Sequence, residues 1–149
     1  METTLLLVKP DGVQRGLVGT IISKIEQRGL NIVGMKMLSV SNELAEAHYA
    51  IHEDKPFYNG LISYITSSPV VAIAWQGNKA VSVLRQVLGS TNPTEANPGT
   101  IRGDYAIDIG RNLTHGSDSA ENGKIEVNLW FTPEELIEWT RNDSKWIFE

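Results

Sequence analysis

The residues best suited to chemistry are His115, in Asn112-Leu113-Thr114-His115-Gly116-Ser117-Asp118, and a set of cations and hydroxyls earlier in the chain. A neutral imidazole titrating near neutrality can attack phosphorus without a separate base. The planar guanidinium of an arginine binds two phosphate oxygens at once, which makes Arg85 and Arg102 candidate phosphate ligands, with Thr91 beside Asn92-Pro93 as a hydroxyl donor. Lys9 lies in Lys9-Pro10-Asp11-Gly12 at the end of the first apolar run. Each of these has a plainer reading alone: Arg85 as a solvated helix residue, Arg102 as a loop ion-pair partner, Lys9 as a turn lysine, Thr91 as a turn-stabilising hydroxyl. Neither a GxxxxGK[ST] nor a GxGxxG pattern occurs, so any phosphate site must be built from side chains. His48 and His52 stand four apart, but Glu53 and Asp54 do not complete a recognised metal pattern. Both are read as ordinary, partly exposed histidines, and no protein-held catalytic metal is predicted.

These residues must be positioned by elements that hydrophobic spacing suggests. Thr3–Val8 reads as a buried strand stopped by a Lys9-Pro10-Asp11-Gly12 turn. A helix is expected over Leu17–Arg28 with Gly29 ending it, then a strand over Leu30–Val40 and a helix started by Ser41 and continued to Tyr49. Pro56-Phe57 opens another helix to about Ser67, Val70–Trp75 reads as a buried strand, and Asn78–Leu88 as a helix. From Gly89 to about Gly116 the pattern fails. We read a binding loop there with one helical turn near Asp104–Ile109. Glu126–Phe131 reads as the last strand, and Pro133 starts a short helix. The order β-α-β-α-α-β-α predicts a mixed antiparallel sheet with helices on one side.

The chain has 149 residues, 41% hydrophobic and 21% charged, and no repeat or linker, so a single domain over 1–149 is expected. A formal charge of −5 argues against a broad footprint for nucleic acid or anionic membrane, though not against a local phosphate site. The absence of cysteine removes disulfide, thiolate and Cys-zinc chemistry. Leu5-Leu6-Leu7-Val8 is too short for a signal core or membrane span, so a cytoplasmic protein is expected. The C-terminal Trp146-Ile147-Phe148 either folds back on its own domain or packs on a neighbouring subunit.

Taken together, Lys9-Pro10-Asp11-Gly12, Thr91-Asn92-Pro93, Gly99-Thr100-Ile101-Arg102-Gly103-Asp104 and Asn112…Asp118 resemble the nucleoside diphosphate kinases, in order and from Thr4 to the last residues. The resemblance implies an α/β sandwich with the ferredoxin-like βαββαβ topology, a four-stranded antiparallel sheet covered by helices. It implies ping-pong transfer of a γ-phosphoryl group between nucleotides through a pros-phosphohistidine at His115, with broad base and sugar tolerance, maintaining nucleotide pools. Lys9, Tyr49, Asn112, Ser117 and Glu126 match the catalytic surroundings of that histidine. Phe57, Leu61 and Ile109 match the base slot, and Arg85, Thr91, Arg102, Lys9 and Asn112 match the phosphate and ribose contacts. Mg2+ is implied, held mainly by nucleotide phosphates with Asp118 assisting directly or through water. A homo-oligomer is implied, a hexamer or alternatively a tetramer, with the loop around Pro93 contacting neighbours. Gln76, Thr20 and Tyr58 depart from common family residues, and none falls in the expected phosphate site. A nucleic-acid-binding or regulatory protein on the same fold, a structural oligomer and a base-specific phosphotransferase remain as alternatives.

Overall fold

The computed structural model describes residues 1–149 and is built on strands β1 (Glu2–Val8), β2 (Asn31–Leu38), β3 (Val70–Gly77) and β4 (Thr114–Gly116). They form one antiparallel sheet in the order β2-β3-β1-β4. That order, with helix α2 (Val18–Gln27) between β1 and β2 and helix α5 (Ala80–Leu88) between β3 and β4, is the ferredoxin-like βαββαβ arrangement. Inserted or appended are α1 (Pro10–Gln14), α3 (Asn42–His48), α4 (Tyr58–Ile65), α6 (Ile101–Tyr105) and α7 (Ala120–Trp130). No helix is long and apolar enough to cross a membrane.

Both faces of the sheet are covered, which corrects the expectation of helices on one side. Leu6 and Val8 of β1 join Ile21, Ile25, Leu84, Leu88 and Ile101 in one buried cluster. Leu5 and Leu7 point the other way and join Ala45, Ile65, Val127, Trp130 and Phe131 in a second. Successive strand residues face opposite sides, so a strand between two helical layers is apolar at every position, as the Leu5-Leu6-Leu7-Val8 run is.

Several boundaries follow local chemistry. Ser41 caps α3 by accepting from the Leu44 N–H, as its sequence position suggests. The segment read as a Lys9-Pro10-Asp11-Gly12 turn instead starts α1, where proline suits the first helical position because it lacks only an N–H that would have no intrahelical partner. The helical turn placed near Asp104–Ile109 lies earlier, at α6, because the Thr100 hydroxyl accepts from the Gly103 N–H and starts it there.

The largest correction is at Glu126–Phe131, expected as the last strand and found within helix α7 and just beyond it. Val, Trp and Phe favour strands in isolation, but packing overrides that preference. Ser119 caps the helix through the Asn122 N–H, and Gly123, Val127 and Trp130 turn one face to the core. The fourth strand is instead the short β4, which carries His115. A Cβ on Gly123 would lie 2.4 Å from the Thr3 carbonyl oxygen, so α7 seats directly on the β1 backbone. Ala usually stabilises a helix interior relative to Gly by about 1 kcal/mol. Here we expect Gly123→Ala to destabilise by about 1–3 kcal/mol, because the helix must move off the strand. A lowered thermal midpoint checks it.

Candidate active site

β4 places the site. Leu7 pairs with His115 across the β1–β4 ladder, so the imidazole projects from the same face as Leu5 and Leu7, toward α3 and α7. Leu6 pairs with Gly116 on the opposite face, where a Cβ would lie 2.9 Å from the Leu88 side chain.

His115 Nε2 lies 3.0 Å from Glu126 Oε2 and 3.1 Å from Oε1, while Nδ1 has no protein hydrogen-bond partner. A proton on Nε2 donates to the carboxylate, leaving the Nδ1 lone pair open. Ser117 braces the arrangement: its hydroxyl donates to Glu126 Oε1 at 2.5 Å and accepts from the Leu5 N–H at 3.1 Å, and its own N–H donates to the Leu5 carbonyl. Burial alone would raise the Glu126 pKa, but hydrogen bonding and charge from His115, the Ser117 hydroxyl and His48 outweigh it and hold the carboxyl below its ordinary value. Glu126 is therefore an anion aimed at His115.

The cations gather from distant parts of the chain. Lys9 Nζ donates to Asn112 Oδ1, and Asn112 Nδ2 donates to the Thr91 carbonyl. Arg102 is buried, and its Nε, Nη1 and Nη2 donate to the carbonyls of Asn112, Gly89 and Thr114. One N–H on each terminal nitrogen is left over. Arg85 is exposed on α5, reaching toward the Gly116 carbonyl at 3.4 Å. Burial lowers the Lys9 pKa to about 8, with the Arg102 and Arg111 charges adding to the fall and Asp11 opposing it. Burial likewise lowers Arg102 to about 10, assisted by the charge of Arg85. These mutual effects show that Lys9, Arg85, Arg102 and Arg111 form a single positive cluster in a chain of net charge −5. Such a cluster is suited to a polyanion.

Other site residues lie farther out. Tyr49 packs edge-on against His48 at 4.8 Å, and burial, with the Glu126 charge, raises its hydroxyl pKa to about 12. Asp118 lines an open cavity with Arg85, and its Oδ1 accepts from Asn122 Nδ2. Phe57 and Ile109 are exposed, at 50% and 59%, and Leu61 is half-buried on α4. No hydrogen bond or ring contact joins these three to His115.

His48 corrects the sequence reading. Its side chain is 2% exposed, and its ring stands 4.7 Å from that of His115. Asp11, Tyr64, Arg111 and Leu113 were also missed. Asp11 accepts from the Tyr64 hydroxyl and the Leu113 N–H, fastening α1 to α4 and to the loop before His115. Arg111 stacks 4.1 Å over the Tyr64 ring. Leu113 is fully buried with φ +73°, a left-handed conformation that is costly for a branched side chain and is held by these bonds. The only sequence signal was the aspartate following a proline, and its partners are 53 and 102 residues away.

Comparison with known proteins gives the family. The family model described as nucleoside diphosphate kinase matches residues 2–136. A nucleoside diphosphate kinase of Thermosynechococcus vestitus is 55% identical over 149 residues, covering 100% of this chain and 99% of its own length. One from Staphylococcus carnosus is 56% identical with the same coverage. Among solved structures, a halophilic nucleoside diphosphate kinase from Halobacterium salinarum in complex with CDP aligns with a TM-score of 0.96 at 50% identity, covering 99% of each chain. A family protein from Babesia bovis aligns with a TM-score of 0.97 at 42% identity, covering 99% of this chain and 100% of its own. With the family model spanning all but the chain ends and relatives more than half identical along its full length, this chain belongs to the nucleoside diphosphate kinase family.

Proposed function

We infer that the chain transfers the γ-phosphoryl group of a nucleoside triphosphate to a nucleoside diphosphate through a phosphohistidine at His115. The observation that carries this reading is the imidazole held at Nε2 by Glu126, with Nδ1 without a protein partner and the carbonyls on either side of His115, Thr114 and Gly116, reached by Arg102 and Arg85. The Nδ1 lone pair attacks the γ-phosphorus. An N–P bond forms as the bond to the β,γ-bridging oxygen breaks, and the diphosphate leaves with that electron pair. Positive charge developing on the ring is met by the Glu126 carboxylate through Nε2–H, while Arg85, Arg102 and the Thr91 hydroxyl meet the phosphate oxygens. A terminal oxygen of the second diphosphate then attacks phosphorus, and His115 returns to its neutral form. Phosphorylation at Nδ1 is the pros isomer.

Lys9 and Asn112 are assigned to the ribose hydroxyls and Tyr49 to the neighbourhood of the phosphates. Phe57, Leu61 and Ile109 are assigned to the base. A stacking surface accepts any base, which suits broad tolerance. The CDP complex of the Halobacterium salinarum relative supports a nucleoside diphosphate as ligand.

Mg2+ fits this chain only as an ion carried on the nucleotide. Two carboxylates, Glu2 and Asp118, line the cavity that Arg85 shares; Glu2 accepts from the Val81 N–H, and of the Asp118 oxygens only Oδ2 is without a protein hydrogen bond. Magnesium bound to phosphates and water would neutralise charge on the triphosphate, with Asp118 contacting it directly or through water. The protein is assigned to the cytoplasm as one domain spanning 1–149 and as a homo-oligomer, a hexamer or alternatively a tetramer. The tail is consistent with both of its expected roles. Trp139 and Arg141 bond back to the Ile32, Glu26 and Leu30 carbonyls, whereas Trp146 is 80% exposed.

Incubation with γ-labelled ATP, followed by alkaline trapping, tests the reading. An acid-labile phosphoenzyme that discharges to several nucleoside diphosphates is expected. A folded protein that takes up no label overturns it. A pH series adds a second check. Nucleotide binding should weaken as pH rises through about 8, where Lys9 loses its proton, and Lys9→Gln should flatten that dependence in a plot of KM against pH. The stability sign is opposite. Between about pH 8 and the ordinary lysine value the unfolded chain binds the Lys9 proton more tightly, so the Lys9 contribution to stability rises with pH across that window.

A further inference from the structure

The Trp130 indole N–H donates to His48 Nδ1 at 3.1 Å. Trp130 lies one helical turn beyond Glu126 on α7, and His48 closes α3, so the bond joins the two helices that flank His115. An indole nitrogen only donates, so the direction of this bond is not a matter of tautomer choice. An imidazole that accepts at Nδ1 in its neutral form carries its proton on Nε2.

We propose that Trp130 is a positioning residue that commits His48 to the neutral Nε2–H tautomer, so that the Glu126 carboxylate is kept for His115. The distances agree. Glu126 Oε2 is 3.0 Å from His115 Nε2 and 3.9 Å from His48 Nδ1. With the Nδ1 lone pair turned to Trp130, His48 has no proton at that atom to offer the carboxylate. Charge and tautomer are set separately. Burial, then the charge of His115 and more weakly that of His52, drive the His48 pKa down to about 3 against the pull of Glu126. Tyr49, the other titratable group against the ring, is neutral across this range because its own pKa is raised. Burial thus keeps His48 uncharged, and Trp130 decides which nitrogen holds its proton.

The same bond has a second consequence. Ligand atoms of His48, His115 and Glu126 lie within 4.8 Å of one another, a two-histidine, one-carboxylate set of the kind that binds zinc. Metal binding needs a free lone pair on each imidazole. The His48 nitrogen nearest Glu126 spends its lone pair on Trp130, which leaves the trio one ligand short and His115 free to react.

The inference rests on His115 as the phosphorylated group, and the test separates the two. Nitrogen-resolved NMR of the imidazoles in the wild-type protein should show His48 neutral with its proton on Nε2 from about pH 5 to about pH 8. Trp130→Phe keeps an aromatic ring and removes the N–H. It should give mixed His48 tautomers, slow phosphoenzyme formation at neutral pH because Glu126 is shared between two imidazoles, and make zinc inhibit at roughly tenfold lower concentration. The inference is overturned if wild-type His48 carries its proton on Nδ1 or is charged at neutral pH. It is equally overturned if Trp130→Phe leaves both the rate of phosphoenzyme formation and the zinc sensitivity unchanged. A wild-type protein with the expected tautomer and no phosphoenzyme would instead remove the phosphohistidine reading. The wild-type spectrum stands even if the variant does not fold.

Discussion

His115→Ala lowers phosphoryl transfer by at least about 10⁴-fold, because a covalent route that loses its nucleophile falls back on positioning and charge alone. The fold should survive. The His115 side chain is 26% exposed and bonds only Glu126, so the stability change should stay within about 1 kcal/mol. Glu126 retains its hydrogen bond from the Ser117 hydroxyl, and the sheet register of β4 depends on backbone bonds that the substitution leaves alone. Single-turnover labelling beside a thermal melt measures both quantities. A variant that still accepts label would place the nucleophile elsewhere. Added imidazole, entering the space left by the ring, should restore a small part of the activity if only the nucleophile has been lost.

Arg102→Ala produces the second large effect, and on two properties at once. Its guanidinium ties together the Gly89, Asn112 and Thr114 carbonyls, from the end of α5 and both sides of the strained Leu113. A buried acceptor stripped of its partner costs about 1–3 kcal/mol, so a loss of roughly 3–5 kcal/mol is expected after water refills part of the space. For a domain of this size that lowers the thermal midpoint by about 10 °C. Activity should fall further than stability explains, because the two remaining N–H groups are assigned to phosphate. Arg102→Lys should recover little, since one ammonium cannot meet three carbonyls in a plane. If Arg102 served only as a surface phosphate ligand, Arg102→Ala would abolish transfer and leave the melting curve unmoved, and the structural role assigned here would be wrong.

These two residues differ in how visible they were. His115 stands out in Asn112-Leu113-Thr114-His115-Gly116-Ser117-Asp118 because its chemistry is carried by one side chain and its immediate neighbours. Arg102 could be read as a cation but not as a bracket, because its acceptors are backbone carbonyls, which look the same at every position in a sequence. His48 was misjudged for a similar reason. Four-residue spacing to His52 reports a helix face, whereas its burial against Trp130 and His115 depends on contacts 82 and 67 positions away. The mistaken last strand has another origin. The residues of Glu126–Phe131 favour strands locally, and only the close seat of Gly123 on β1, with the Ser119 cap, makes the helix the lower-energy choice. β4 is three residues long, too short for any period to register.

The sequence by itself determined the elements whose period is local, the Ser41 cap, the burial of β1 and, through ordered motifs, the family. The tertiary structure alone decided that both sheet faces are covered, that β4 carries the histidine, and that Glu126 holds Nε2 so that Nδ1 is left open. Spacing along a chain records which residues share a face of one element. Hydrogen-bond direction, charge and burial at the site depend on elements that meet only after the sheet has assembled, with Ser117 bonded to Leu5 across 112 residues.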